Sequence, residues 1–282
     1  MSDIRIQVEV TTRCNHNCVY CPRYVIPETR TLGDITPEMR DLLVSRIAEI
    51  DEKYTPTISI SGLGEVTLYP DLMGFIREIK SARNPVIRFN TNARYLHKVG
   101  SEIIDSQLVD YLSLSLSLPT EKLYEKYQGK NDFDVASRNM LNFLKEKGTR
   151  KPNTDVRFID VPESSPHLEK AMKNWRRHVN KNDWVSKATL ANWGGLVGEP
   201  LENKRNNPCR YQDKLLGKHL SINKEGYVGV CCFAVAVSPT HPFIIGNIKD
   251  YSINELIELA KPRALELIGS PTCENCITDI TT

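Results

Sequence analysis

Eight cysteines lie in two separate parts of this 282-residue chain, and their spacing is the clearest sign of chemistry in the sequence. Cys14, Cys18 and Cys21 fall within eight residues at C-x3-C-x2-C spacing. The other five lie in the last quarter of the chain: Cys209, Cys231, Cys232, Cys273 and Cys276. In a reducing compartment, thiols so arranged indicate metal binding or catalysis rather than disulfides.

The first cysteine cluster has three thiols where a closed zinc site needs four ligands. No fourth cysteine lies nearby, although His16 stands between the cysteines and is a candidate ligand on distance. Three thiolates leave one iron of a [4Fe–4S] cluster open to a ligand that is not protein. The spacing therefore favours an iron–sulfur cluster over zinc.

Charge and hydropathy indicate neither a nucleic-acid nor a membrane partner. Lys and Arg number 37 against 35 Asp and Glu, a formal net charge of +2, so no strong field attracts phosphates. No apolar run approaches the roughly 18 residues that a membrane helix needs, and the first residues lack the pattern of a secretory signal. We therefore expect a cytoplasmic protein.

The chain positions the first cluster with alternating strands and helices. The first predicted strand leads directly into Cys14, and six β/α units follow one another. Such alternation predicts a parallel sheet, either open and doubly wound or closed into a full or partial barrel, with functional loops at the carboxyl ends of the strands. The predicted strands are 4–10, 57–61, 86–90, 111–118, 155–161 and 184–191, and the helices are 37–50, 71–81, 95–106, 136–147 and 168–177.

The fourth predicted strand separates two kinds of side chain. Its leucines alternate with Ser113, Ser115 and Ser117, so one face is apolar and the other carries hydroxyls. A parallel strand buried on both faces is normally apolar on both. The serine face predicts a polar cavity such as a barrel lumen, and tight packing of small residues is the alternative.

The organisation changes after the sixth strand. Residues 194–208 are rich in Gly, Pro, Asn and charge, as expected of a connector, and residues 218–222 and 227–231 flank a hairpin signal. A helix is predicted over 253–260, with Pro262 opening a second helix that ends near Gly269. We predict an α/β domain over 1–195, a connector over 196–208 and a small α+β domain over 209–282.

The first cluster resembles the signature of the radical S-adenosylmethionine (radical SAM) superfamily. Cys14, Cys18, Tyr20 and Cys21 match C-x3-C-x-φ-C with an aromatic φ, and the resemblance extends over residues 4 to about 190. It implies a partial (β/α)6 TIM-like barrel. It also implies that the three cysteines hold a [4Fe–4S] cluster whose open iron binds S-adenosylmethionine. Reductive cleavage then yields a 5′-deoxyadenosyl radical that abstracts a substrate hydrogen.

Two further motifs resemble segments that bind the cofactor in this family. Gly62, Gly64 and Glu65 resemble the family's G-x-G-E-P motif, with Val66 where proline is usual. The resemblance implies that the glycines allow close approach to a ligand and that Glu65 accepts from the cofactor's ammonium; a simple strand-ending turn is the alternative. Asn92 lies where the family often has T-N-G and contacts the cofactor.

The remaining site residues are predicted from position in the family's fold. Ser115 or Ser117, and Arg157, lie on strands where such enzymes bind the ribose hydroxyls and the methionine carboxylate, with plain structural roles as the alternative. Asn192 and Trp193 end the sixth strand, where substrate is expected. Trp193 could equally cap the barrel core.

The second cysteine group could bind zinc by spacing alone, but its context resembles the Twitch domain, a shortened SPASM module. That resemblance implies a second, auxiliary [4Fe–4S] cluster held by four thiolates, from Cys209, Cys231, Cys273 and Cys276. The adjacent Cys232 is then either a small buried hydrophobe or a hydrogen donor to a substrate radical.

These resemblances imply a radical SAM oxidoreductase similar to the aminocyclitol dehydrogenases of antibiotic pathways. The expected substrate is an alcohol of a small molecule such as a sugar or aminocyclitol, and the auxiliary cluster takes an electron. A cellular reductant such as flavodoxin or ferredoxin is expected as a partner. The alternatives are a peptide-modifying enzyme that crosslinks or epimerises, a sugar epimerase and, last, a zinc-binding interaction protein.

Overall fold

The computed structural model describes residues 2–28, 30–198 and 217–276. Over residues 2–189 it has six parallel strands with helices between them, as the alternating pattern predicts. The strands are β1 Ser2–Val8, β2 Tyr54–Ile60, β3 Val86–Thr91, β4 Tyr111–Ser117, β5 Asn153–Asp160 and β6 Trp184–Thr189. The helices are α1 Pro37–Ala48, α2 Leu72–Arg83, α3 Leu96–Ser106, α4 Glu121–Gln128, α5 Phe133–Lys147 and α6 Ser165–Trp175.

The six strands form a curved sheet, in agreement with the predicted partial barrel. They lie in the order β6-β5-β4-β3-β2-β1, each parallel to its neighbour. Arg5 on β1 and Trp184 on β6 line the same cavity although four strands lie between β1 and β6. The sheet therefore curls around a lumen.

Alternation along β1 separates the core from this lumen. Ile4, Ile6 and Val8 are fully buried in the apolar core that the helices cover. Arg5 and Gln7 point to the opposite face and line the lumen. The period of two in the sequence thus corresponds to a core outside the curved sheet and a polar interior.

The C-terminal region continues the same sheet. Strands β7 His219–Ile222, β8 Tyr227–Gly229 and β9 Ile244–Asn247 extend it, and β7 pairs in parallel with β1. The hairpin predicted across residues 223–226 is present. Its turn is closed by the Gly226 amide, which donates to the Asn223 carbonyl over 2.9 Å. The boundary predicted near residue 209 lies outside the described residues, but no break in the sheet separates β1 from β7.

One helix, α4, is absent from the predicted pattern. Thr120 caps it by accepting from the Leu123 amide, and its sequence EKLYEKYQ is charged at four of eight positions. Only Tyr124 and Gln128 are buried, which is too few apolar positions to mark an amphipathic helix.

The prediction that Pro262 opens a new helix is wrong. A single helix, α7 Ile253–Leu267, runs through Pro262, and a short helix, α8 Pro271–Glu274, follows. Proline inside a helix removes one backbone hydrogen bond and costs about 3 kcal/mol. Ile253, Leu256, Ala260 and Leu267 form a buried stripe on both sides of the proline, and this burial offsets the cost.

Along the described part of the chain, every helix is too short or too polar to cross a bilayer.

Candidate active site

The loop that leaves β1 carries the first three cysteines. Cys14, Cys18 and Cys21 are free, half-buried thiols, and the Cys21 amide closes a turn by donating to the Cys18 carbonyl over 3.0 Å. Burial, reinforced by nearby negative groups, raises the pKa of Cys14 to about 11 and that of Cys18 to about 12. These thiols are therefore protonated near neutral pH until a metal replaces the proton.

The three thiols of this loop are suitable ligands for an iron–sulfur cluster. In this structure, however, their sulfur atoms are not gathered around one point. Among the described residues, no three Cys, His, Asp or Glu side chains are gathered as metal ligands. Cys18 Sγ instead donates to Gln128 Oε1 over 2.6 Å. Buried in the same loop, Asn15 Nδ2 has no hydrogen-bond partner in the described part of the chain, and such a donor fits acceptor atoms of a bound group.

The last turn of α4 clamps this cysteine loop. The amides of Asn17 and Val19 donate to the carbonyls of Gln128 and Tyr127, each over 3.0 Å. Gly129 follows with a left-handed φ of 67°, and a β-carbon there would lie 2.7 Å from the Asn17 carbonyl oxygen. Only glycine lets the end of α4 approach the loop this closely.

Gln128 is a candidate site residue that the sequence did not predict. Its side chain is buried, faces Cys18 with Oε1 and donates from Nε2 to the Tyr20 hydroxyl over 2.8 Å. Burial, and then the negative charge that Cys18 carries once it ionises, raises the pKa of Tyr20 well above its usual value. No sequence signal marks a single glutamine at a helix end, so only the fold reveals this contact.

The predicted glycine motif lies against the loop after β1. A β-carbon at Gly62 would lie 2.5 Å from Glu9 Cγ, and one at Gly64 would lie 2.3 Å from the Thr11 carbonyl oxygen. The Leu63 amide also donates to the Glu9 carboxylate over 3.0 Å. Both glycines therefore allow two loops of the chain to touch, and close approach to a ligand stays a prediction.

Glu65 joins the ends of β2 and β3. Its buried carboxylate accepts from the Thr67 amide at 3.1 Å, the Thr91 hydroxyl at 2.6 Å and the Asn92 amide at 2.8 Å. Asn92 Nδ2 donates in turn to Asn15 Oδ1 in the cysteine loop over 3.0 Å. Glu65 and Asn92 thus lie together beside the cysteines, and their contact with the cofactor stays a prediction.

The three predicted residues on β4 and β5 differ in their surroundings. Ser117 is buried with a left-handed φ of 67° at an irregularity in the β4–β5 pairing that begins at Ser115. Arg157 faces the lumen and donates from Nε to Asp155 Oδ2 over 2.9 Å. Ser186 donates to the same carboxylate over 2.7 Å.

Two cavities occupy the lumen of the curved sheet. The lower cavity, about 280 Å³, reaches Tyr111 and Trp184 at the amino ends of their strands. The upper cavity, about 190 Å³, lies towards the carboxyl ends. Six residues line only the upper cavity: Gln7, Ser59, Ser61, Asn90, His219 and Cys232. Four residues line both: Arg5, Thr57, Arg88 and Arg157.

One of the C-terminal cysteines, Cys232, lines the upper cavity. Cys231 precedes the 3-10 turn Cys232–Ala236. A hydrogen bond with Cys232, burial, and the charges of Cys232 and Cys276 raise the pKa of Cys231 well above its usual value. Cys276 is buried and Cys273 is half-buried in the α8 segment. The predicted ligand Cys209 lies outside the described residues.

Asn192 and Trp193 lie at the junction with the C-terminal segment. Asn192 Nδ2 donates to the Asn275 carbonyl over 2.6 Å. Trp193 begins the 3-10 turn Trp193–Gly195 and packs against Leu63, Val235 and Ala236. Neither residue lines the two lumen cavities, so their predicted contact with substrate has no support from this geometry.

Comparison with known proteins identifies the family. The model of the radical SAM superfamily matches residues 8–163, more than half of the chain, so the chain belongs to that superfamily. The model of an iron–sulfur cluster-binding domain, SPASM, matches residues 209–277. The protein is therefore a radical SAM enzyme, with S-adenosylmethionine and iron–sulfur clusters as its cofactors.

Curated relatives match only part of their own length. The chain is 29% identical over 129 residues to a probable GTP 3′,8-cyclase of Metallosphaera sedula, covering 46% of this chain and 39% of that protein. It is 27% identical over 139 residues to GTPase Obg of Brachyspira hyodysenteriae, covering 46% of this chain and 20% of that protein. The chain thus spans well under two thirds of these relatives.

Three solved structures share the fold. BtrN in complex with AdoMet and 2-DOIA matches with a TM-score of 0.61 at 16% identity, covering 100% of this chain and 96% of that one. The enzyme anSMEcpe with bound AdoMet matches with a TM-score of 0.67 at 14% identity, covering 98% and 86%. SuiB of Streptococcus suis bound to the precursor peptide SuiA matches with a TM-score of 0.63 at 13% identity, covering 91% and 64%.

Proposed function

We propose that this enzyme oxidises an alcohol of a small, hydroxyl-rich molecule to a ketone. When bound, S-adenosylmethionine and two [4Fe–4S] clusters would supply the oxidising chemistry, accepting in total one hydrogen atom and one electron from the substrate while its hydroxyl releases a proton. Cys14, Cys18 and Cys21 would hold the first cluster. Cys209, Cys231, Cys273 and Cys276 would hold the second.

The observation that carries the proposal is the polar upper cavity, which Cys232 lines. Gln7, Ser59 and Asn90 surround it with hydrogen-bonding groups. Such a lining suits a polyol or amino sugar, whose hydroxyls require partners when they leave water. Cys232 lines the same cavity next to Cys231, so a substrate there would lie near the proposed auxiliary cluster.

The size of the cavities also favours a small substrate over a peptide. The two cavities, of about 280 and 190 Å³, are smaller than the roughly 300–1,000 Å³ of typical ligand sites. Both kinds of substrate occur on this fold: BtrN is bound to the small molecule 2-DOIA, and anSMEcpe is bound to the Cp18Cys peptide. On cavity size, peptide modification is the weaker alternative.

Radical epimerisation is the second candidate, and Cys232 is the observation that favours it. A thiol lining the cavity could return a hydrogen atom to a substrate radical. Net oxidation would then be absent, and Cys232→Ala would consume S-adenosylmethionine without inverting the substrate.

The deciding experiment is an anaerobic incubation of the reconstituted enzyme with reductant, S-adenosylmethionine and a panel of sugars and aminocyclitols. Flavodoxin or ferredoxin would serve as the cellular reductant. Alcohol oxidation predicts one ketone for each substrate-dependent 5′-deoxyadenosine. An epimerised product with no net oxidation would contradict the proposal, as would turnover of peptides alone.

A further inference from the structure

A buried ion pair lies beside the glycine motif, just after the end of β1. Glu9 and Arg30 are 0% and 4% exposed, and Arg30 Nη2 donates to Glu9 Oε1. The second carboxylate oxygen of Glu9 accepts from the Leu63 amide over 3.0 Å. Burial raises the pKa of Glu9, and the charge of Arg30 opposes that rise. Arg30 therefore favours the ionised carboxylate, and a buried charge of this kind requires its partner.

The hairpin turn between β7 and β8 also contacts Arg30. Arg30 Nε lies 2.9 Å from Glu225 Oε2. The amide and hydroxyl of Thr31 donate to Glu225 Oε1 over 3.2 and 3.0 Å, and Lys224 Nζ donates to the Thr31 hydroxyl over 2.5 Å. Lys224 Nζ also lies 3.1 Å from Glu225 Oε1. The formal charges of Glu9, Arg30, Lys224 and Glu225 cancel, so the loss of any one of them leaves an unbalanced charge.

The charge of Glu9 reaches the cysteine loop. Burial raises the pKa of Cys21, and the negative charge of Glu9 acts in the same direction. The backbone also joins the glycine motif to this loop, because the Glu65 amide donates over 2.8 Å to the carbonyl of Arg13, the residue before Cys14. Water and salt screen buried charges much less than exposed ones. An unbalanced charge at Glu9 would therefore act on a cluster bound by these cysteines.

We propose that Arg30 is a positioning residue that acts through Glu9: it balances the carboxylate beside the cysteine loop and thereby raises the reduction potential of the first [4Fe–4S] cluster. Negative charge near a cluster stabilises its oxidised form, because reduction adds a further negative charge. Arg30 thus makes the cluster easier for a cellular reductant to reduce. The inference rests on the proposed ligands Cys14, Cys18 and Cys21 and is independent of the substrate.

The reduction potential is measured without turnover, so its result does not depend on whether the enzyme oxidises anything. The reconstituted enzyme is titrated anaerobically with dithionite and followed by EPR. The first cluster is the one whose spectrum changes on addition of S-adenosylmethionine, because it has the open iron. Arg30→Gln should shift its midpoint potential to a lower value, and Glu9→Gln to a higher value. The double variant, which lacks both charges, and Arg30→Lys, which keeps the charge, should titrate close to wild type.

Arg46→Gln is the matched control. Arg46 also joins the barrel to the C-terminal region, by donating to the Ile248 carbonyl over 3.0 Å, but it lies in the last turn of α1. Its loss should leave the potential unchanged even if the urea midpoint falls. If Arg30→Gln fails to retain iron, Glu9→Gln and the double variant carry the test.

The inference is overturned if Arg30→Gln and Glu9→Gln leave the potential unchanged or shift it in the same direction. It is also overturned if Arg46→Gln shifts the potential as much as Arg30→Gln does. Absence of any spectrum that responds to S-adenosylmethionine in the wild type would overturn the ligand assignment, and this inference with it. Failure to form a ketone, by contrast, would overturn the proposed function alone.

Discussion

Cys231 and Cys232 are neighbours in sequence with different surroundings. Cys231 packs against the apolar core, as Cys273 does, whereas Cys232 lines the lumen. Spacing alone could not separate them, because two adjacent thiols offer the same chemistry, and only the family resemblance favoured Cys231 as the ligand. Their different surroundings depend on the direction in which each side chain leaves the backbone at the start of the 3-10 turn Cys232–Ala236.

Single substitutions of this pair should therefore have different effects on iron content. Cys231→Ala removes a proposed cluster ligand, so iron should fall from about eight to about four atoms per chain. Cys232→Ala should retain about eight, because Cys232 faces the cavity. Iron and sulfide analysis after anaerobic reconstitution measures this. Loss of iron in Cys232→Ala but not in Cys231→Ala would reverse the assignment.

His219 should make stability depend on pH. Its pKa is lowered from 6.5 to about 3 in the folded protein, so the unfolded chain binds a proton here that the folded chain does not. Stability is therefore lost as pH falls below the unfolded pKa, by about 2 kcal/mol between pH 7 and pH 5.

His219→Gln should remove this loss while retaining a polar side chain next to Ser221. Urea unfolding of wild type and variant at pH 7 and pH 5 gives the comparison. An equally steep loss of stability in the variant would show that His219 is not the group responsible.

Of the helices and strands around the candidate site, α4 is the one that the sequence could least predict. The cysteine spacing marks the loop after β1, and the glycine motif marks the loop after β2, because both are local patterns. The clamp on the cysteine loop comes from Gln128 and Gly129, more than 100 residues away in the sequence. Contacts at such separation are set by the packing of the barrel, which no local pattern encodes.

Gly129→Ala should loosen this clamp. Alanine at φ 67° costs on the order of 1 kcal/mol, and its β-carbon would also overlap the Asn17 carbonyl oxygen at 2.7 Å. Gly269→Ala is the matched control, since Gly269 also has a positive φ, of 82°, but a β-carbon there meets nothing within 4 Å.

We expect Gly129→Ala to lower the urea midpoint more than Gly269→Ala does and to reduce iron incorporation at the first cluster. The reconstituted proteins are compared by urea unfolding and iron analysis. Equal effects of the two substitutions would mean that contact between α4 and the cysteine loop contributes neither to stability nor to iron incorporation.

The C-terminal region extends the sheet of the barrel by three strands. Its first strand, β7, pairs with β1, which leads into the cysteine loop. Contacts outside the sheet add to this: Arg46 on α1 donates to the Ile248 carbonyl over 3.0 Å, and Asn254 on α7 donates to the Glu49 carbonyl over 2.9 Å. The sequence predicted both parts and their order. Their union into one sheet could not be predicted, because parallel pairing of β1 with β7 joins residues more than 200 positions apart.

Strand β1 leads into the first cysteine group and β8 leads into Cys231 and Cys232, and both strands belong to one sheet. We propose that the two cysteine groups divide the reaction. The first group is needed to cleave S-adenosylmethionine, and the second is needed to oxidise the substrate. Substituting one cysteine of each group separates these two requirements.

The most direct test compares Cys14→Ala and Cys273→Ala in the same anaerobic assay, measuring 5′-deoxyadenosine and ketone together. Cys14→Ala should form neither product. Cys273→Ala should still form 5′-deoxyadenosine but yield little or no ketone. Full ketone formation by Cys273→Ala, or 5′-deoxyadenosine from Cys14→Ala at the wild-type rate, would contradict this division of roles between the two cysteine groups.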